Sequence, residues 1–272
     1  MIERPILGAD ELADDLRRIG ITTGDGVMVH TALSAVGEVI GGPRGLIEAL
    51  IAAVGPSGLI AMPGFSRDAY DPTDGRKMSE AMRSRLRDQV PGFDPSLSNT
   101  RQNGAVPEAF RSWPGVVRSP HPTSSLLLFG PDAAEWAEPH DPLGWPTGPD
   151  SPWGRLGDRP AMKILLIGVL WNRCSALHAA ESRADRRRTT VRHFKPSRGA
   201  AWVKAPDVED DNGRLFPALG QAFEAAGGVT IGRLGGAETR LCGYRALLDF
   251  GAAWFDANSP APGRSEAIGD EM

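Results

Sequence analysis

Cysteine is nearly absent. The chain carries two, Cys174 and Cys242, in 272 residues, too few for a disulfide framework or a four-ligand zinc site. Free thiols in a reducing compartment are expected. There is no run of about 18 or more apolar residues. The N-terminus MIERPILGADELADD puts acids where a signal peptide carries basic and then apolar residues. A cytoplasmic location, with no membrane partner, is the expectation. A concentrated basic face is also lacking: the formal net charge is −4, which argues against nucleic acid and favours a cationic small molecule as partner. The five histidines (His30, His121, His140, His178, His193) show no H-E-x-x-H spacing, so no metal is expected. No G-x-S-x-G nucleophile elbow occurs. Gly41-Gly42-Pro43 opens a helix without the Lys-Ser/Thr pair of a P-loop or a G-x-G-x-x-G fingerprint.

What is present is enough for a full core: 41% of the residues are hydrophobic and 24% charged. No internal repeat is found. Only the end, from about Asn258, has linker-like composition, so we expect one domain over 1–257 and a disordered tail over 258–272. Leu12, Leu16 and Ile19 recur at helical spacing behind Asp10 and stop at Gly20. A strand, Val27 to His30, follows. Pro43 starts a helix with Leu46, Ile47, Leu50, Ile51 and Val54 on one face, and Leu59 to Pro63 reads as a buried strand. Such alternation predicts a layered α/β domain with ligands at loops leaving the carboxyl ends of strands, where His30 lies. From 66 to 102 the sequence is polar and weakly periodic, too long for a plain connection, and reads as a substrate-side excursion. A helix around Val106 to Trp113, a strand at Ser124 to Phe129 and the strand-like run from Met162 to Val169 come next. Ser175 can cap a helix through His178 and Glu181. A helix near Leu215 to Ala226, a strand from Val229 to Leu234 and an apolar helix from Tyr244 to Phe255 complete the pattern. The basic run RADRRRTTVR, Arg183 to Arg192, reads as a solvated helix end.

His178 is the first candidate for chemistry: it falls one short loop and one helical turn beyond a buried strand, where an imidazole can face a cleft. The plain alternative is a helix-terminal histidine bonded to a carbonyl. Glu181, three residues on, can orient the ring or help bind a cation. Asp207, Glu209, Asp210 and Asp211 cluster before a helix, where carboxylates serve as caps, or one of them reaches His178 and sets its tautomer. Arg118-Ser119-Pro120-His121-Pro122 with Ser124 and Ser125 mixes a guanidinium, hydroxyls and an imidazole that suit a phosphate, or simply makes a turn. A Cys174–His178 pair at i and i+4 mimics a thiol nucleophile, but a helical site gives it little activation.

In order along the chain, VHTALSAVGEVIGGPRGLIEALIAAVGPSGLIAMPGFS, GAVPEAFRSWPGVVRSPHPTSSLLLFGP, DSPWGRLGD, MKILLIGVLWNRCSALHAAE and, more weakly, AAWVKAPDVEDDNGRLFPALGQAF with RLGGAETRLCGYRALLDF resemble the aminoglycoside 3-N-acetyltransferase family. The resemblance covers nearly the whole core. It implies a three-layer α/β/α fold with a central mixed sheet, distinct from the commoner acetyltransferase fold, whose R/Q-x-x-G-x-G/A loop has no counterpart here. It implies transfer of acetyl from acetyl-CoA to the 3-amino group of an aminoglycoside, an antibiotic-resistance activity, in a monomer or homodimer. By the same resemblance His178 is the general base, supported by Asp210 or Asp211. The coenzyme would lie along His30, Thr31, Ala32, Leu33, Ser34 and Val36 and the turn Arg118, Ser119, His121, Pro122 and Ser124. Asp71, Glu181 and Glu209 would attract the amino sugar. Family members often carry N-T-x-L-H before A-E, whereas Cys174-Ser175-Ala176-Leu177-His178 stands here, a changed wall beside the base. The same chemistry on another amine, or a non-catalytic coenzyme-A-binding module, are the alternatives.

Overall fold

The computed structural model describes residues 5–208 and 213–259. Its strands are β1 (Ile6–Leu7), β2 (Gly26–Thr31), β3 (Glu38–Val39), β4 (Leu59–Pro63), β5 (Val117–Arg118), β6 (Leu126–Phe129), β7 (Met162–Ile167), β8 (Thr189–Phe194), β9 (Val203–Val208), β10 (Val229–Leu234) and β11 (Ala237–Gly243). Seven of them form one sheet in the order β10-β11-β7-β2-β4-β6-β5. β2 runs parallel to both β4 and β7, and the flanking pairs are antiparallel. The sheet is therefore mixed, with its parallel strands at the centre.

Strand alternation divides the core into two layers. Val27, Val29, Ile60, Met62, Leu165 and Ile167 point to one side, where they pack with the helices Ala9–Ile19 and Pro43–Val54. Met28, Leu59, Ala61, Ile164 and Leu166 point to the other, toward the helices Leu177–Arg183, Phe216–Ala225 and Tyr244–Asn258. Because side chains alternate with period two, His30 shares the face of Met28 and looks toward the helix that carries His178. The expected α/β/α layering is thus present. Gly20, at φ 116°, receives the C-terminus of the first helix through its N–H. Gly168, at φ 62°, ends β7 where an added Cβ would sit 2.4 Å from that of Ala35, so the loop after β2 lies tight against the end of β7.

Three local expectations are corrected. The basic run is not a helix end throughout: Thr189 to Arg192 belong to β8, which pairs with β9 in a separate hairpin. Val191 is exposed and Phe194 buried there, so ladder pairing with β9 rather than an apolar face fixes the segment. Ser175 does not cap the helix beyond it; Ala176 occupies the cap and offers no side-chain acceptor. The 66–102 excursion holds a helix, Glu80–Asp88, with no buried residue. It docks on the hairpin through Asp71 N–H to His193 O (3.1 Å) and Lys195 N–H to Ala69 O (3.0 Å), around a small core of Ala69, Phe93, Phe194 and Ala205. The tail expected beyond 258 falls mainly on 260–272, outside the described residues.

Candidate active site

A cavity of about 1470 Å³ opens where β2 and β7 end, between the sheet and the excursion-hairpin layer. It exceeds the ~300–1,000 Å³ typical of a site for one small ligand. His30, Thr31, Ala32, Leu33 and Ser34 form one wall, Ser124 and Thr147 another, and His178, Phe216 and Asp207 a third. Asp71 and Asp74 of the excursion and Arg192 of the hairpin also face it.

His178 keeps 18% of its side chain exposed, and its Nδ1 lies 3.8 Å from Glu181 Oε2. The Phe216 ring meets the imidazole edge-on, with centroids 4.9 Å apart. Glu181 is 5% exposed and lies behind the ring, off the cavity wall, as i,i+3 spacing on a helix dictates. Asp207, at the inner end of β9, is close enough for its charge to act on His178. Burial raises its pKa, opposed by Arg192, whose Nε donates to Asp207 Oδ2 at 2.9 Å, and by His178. Two carboxylates, Glu181 at 3.8 Å and Asp207 through its charge, thus act on the His178 ring. Glu209, Asp210 and Asp211 lie outside the described residues. Asp207 belongs to the same acidic cluster, and its own signal was readable: in VKAPDV, Lys204 and Pro206 are exposed while Ala205 and Asp207 are buried.

His30 is 5% exposed, and among the described residues its Nε2 has no hydrogen-bond partner and the neighbouring Thr31 Oγ1 has none either. Burial, with the nearby His178, lowers the His30 pKa to about 3, so the ring is neutral at working pH. Buried polar atoms without partners are rare and costly. Two together on a cavity wall fit a loop that meets a polar ligand.

The other half of the expected coenzyme site lies elsewhere. Arg118 is not on the cavity wall. Its guanidinium donates to Ser125 Oγ (2.9 Å), to the Gly64 carbonyl (2.6 Å) and to the carbonyls of Pro95 and Ser98, and lies over the Phe93 ring. Burial, with the charge of Arg111, depresses its pKa to about 10, and the cation remains. It ties the excursion to the sheet edge instead of awaiting a phosphate. Ser119 and His121 are buried at 0% and 1%; neither they nor Pro122 line the cavity, and Val36 is packed in the core. Of that turn, Thr123 and Ser124 reach the wall. Asp71 lines the cavity, but its carboxylate is engaged. Burial raises its pKa, yet two hydrogen bonds from Thr73 and the charges of Arg87 and His193 outweigh that and leave it below the ordinary value. Burial pushes the Cys174 thiol up to about 12, so it is no thiolate nucleophile.

Known proteins match this chain along nearly its full length. A family model described as aminoglycoside 3-N-acetyltransferase matches residues 28–256. Aminoglycoside N(3)-acetyltransferase VIII of Streptomyces fradiae is 36% identical over 263 residues, covering 90% of this chain and 91% of that protein. The crystal structure of aminoglycoside acetyltransferase AAC(3)-Xa superposes with a TM-score of 0.85 at 32% identity, over 92% of this chain and 93% of that one. AAC-IIIb, solved as a binary complex with CoASH, gives 0.81 at 29% identity over 95% and 100%. No described helix is long and apolar enough to cross a membrane. With a mixed three-layer fold and a histidine beside a carboxylate on the wall of a large cavity, this chain belongs to the aminoglycoside 3-N-acetyltransferase family.

Proposed function

We propose that the chain transfers the acetyl group of acetyl-CoA to the 3-amino group of an aminoglycoside, with His178 as general base. The observation that carries the proposal is the placement of His178 on the cavity wall, backed by Glu181 at 3.8 Å and faced by Asp207. An ammonium has no lone pair, so a base must take a proton before or during attack. His178 is positioned to accept it. Glu181 orients the ring, and both carboxylates stabilise the imidazolium that results. Acetyl-CoA supplies the activated acyl carbon, and the loop from His30 to Ser34 is its wall. Asp74 and Asp207 lend the cavity negative charge that draws a polycationic sugar. Family membership supports the reaction and the drug-inactivating role; the geometry supports the residue roles.

The test is thiol release from acetyl-CoA with a panel of aminoglycosides and of simple amino sugars. Release with aminoglycosides alone supports the substrate class, and release only with simple amino sugars replaces it. His178→Ala should lower kcat ~10²-fold or more while acetyl-CoA binding by calorimetry persists. Wild-type turnover in that variant would remove His178 from the mechanism.

A further inference from the structure

The buried start of the turn at Arg118, including Ser119, stays off the cavity wall, yet it connects to the helix that carries His178. Ser119 Oγ accepts the Leu126 N–H at 2.8 Å and lies 2.8 Å from His140 Nδ1. His140 Nε2 lies 2.8 Å from the Pro146 carbonyl. A carbonyl only accepts, so Nε2 bears the proton, Nδ1 is the acceptor and the Ser119 hydroxyl donates to it. The segment ending at Pro146 is thereby pinned to β6. Its next residue, Thr147, places Oγ1 3.2 Å from the His178 carbonyl and 2.7 Å from Ser182 Oγ. The same rule assigns the directions: Thr147 donates to His178 O and receives the proton of Ser182.

The helix that carries His178 needs such a tie. It spans seven residues, Leu177–Arg183, and its cap residue Ala176 provides no side-chain acceptor. A helix this short has little stability of its own, so tertiary contacts set its position. Arg183 Nη2 donates to Gly154 O at 3.1 Å, and Ala180 packs against Gly251, where a Cβ would approach to 2.7 Å. Those contacts hold the far end. Thr147 bonds the residue that carries the base.

We propose that Thr147 is a positioning residue for His178, anchored through Pro146, His140 and Ser119 to the central sheet. The proposal rests on His178 being the base. A displacement of the order of 1 Å at a reacting group costs ~10²-fold in rate, and loss of one tether allows part of that.

Steady-state kinetics of Thr147→Val and Thr147→Ser test it. Val removes the hydroxyl at nearly constant volume: kcat should fall ~10-fold or more, with both KM values within ~3-fold of wild type. Ser restores the hydroxyl and should bring kcat back to within ~3-fold. A folded Thr147→Val variant with wild-type kcat overturns the proposal. A raised KM for either substrate with kcat intact makes Thr147 a ligand contact instead. Thr147→Ala gives the same readout if Val crowds the site. Wild-type protein is assayed in parallel: no thiol release there would refute the general function, whereas release with an unaffected Thr147→Val refutes only the tether.

Discussion

Arg118→Met separates the two readings of the R-S-P-H turn. In the structure the Arg118 guanidinium donates to one hydroxyl and three main-chain carbonyls, and none of its atoms lines the cavity. Methionine keeps the length of the stem and removes the cation. The Gly64 carbonyl keeps a second partner in Ser125 Oγ at 2.6 Å, and Pro95 is exposed, whereas the carbonyl of buried Ser98 loses its donor. Hydrogen bonds to a charged group contribute ~1.5–3 kcal/mol each, but removing the cation also relieves its desolvation, so the net loss should be ~2–4 kcal/mol. Urea denaturation reads this as a lower midpoint at an unchanged slope. The folded variant should bind acetyl-CoA and dephospho-CoA with wild-type affinity. A variant of full stability whose acetyl-CoA affinity drops tenfold or more, with dephospho-CoA unaffected, would refute the strut and restore the phosphate site.

Acid should destabilise the fold before any carboxylate is involved. The folded pKa is about 3 for His30 and about 4 for His140, each lowered chiefly by burial. Both lie below the unfolded value of ~6.5, so the unfolded chain binds more protons, and stability present above ~6.5 is lost as pH falls toward 4. Near pH ~5 the two rings together should cost about 4 kcal/mol; equal denaturation midpoints at pH ~7 and ~5 would contradict this. Asp74, half-exposed beside His193 at 3.5 Å, faces the cavity mouth. Asp74→Asn should raise KM for an aminoglycoside ~3-fold at low salt, and the difference should vanish as salt rises. A salt-independent difference would assign Asp74 a direct contact.

The sequence was most legible where one periodicity ruled a segment. β4 and β10 fall at Leu59–Pro63 and Val229–Leu234, as their runs predict: β4 is continuously apolar and buried throughout, and β10, an edge strand, is bounded by Gly227-Gly228 and Gly235-Gly236. The β8–β9 hairpin was not legible: five arginines near Thr189 resemble a solvated surface, and its ladder depends on a partner strand with no apolar signature of its own. β11, in ETRLCG, was hidden for the same reason.

Sequence alone determined that an imidazole at position 178, with a carboxylate at 181, follows a buried strand, since strand parity and helix spacing are local. It also determined the layered class, through the alternation of strand and helix. Tertiary structure decided what each polar group bonds. Arg118 and Ser119 were chemically suited to a phosphate, but long-range approach brings them carbonyls from residues 64 and 98 and the ring of His140. Asp207 comes within electrostatic reach of His178, and Thr147 bonds its carbonyl, across separations of about 30 residues. Spacing states which groups are available; packing determines which of them find partners and which remain open to a ligand.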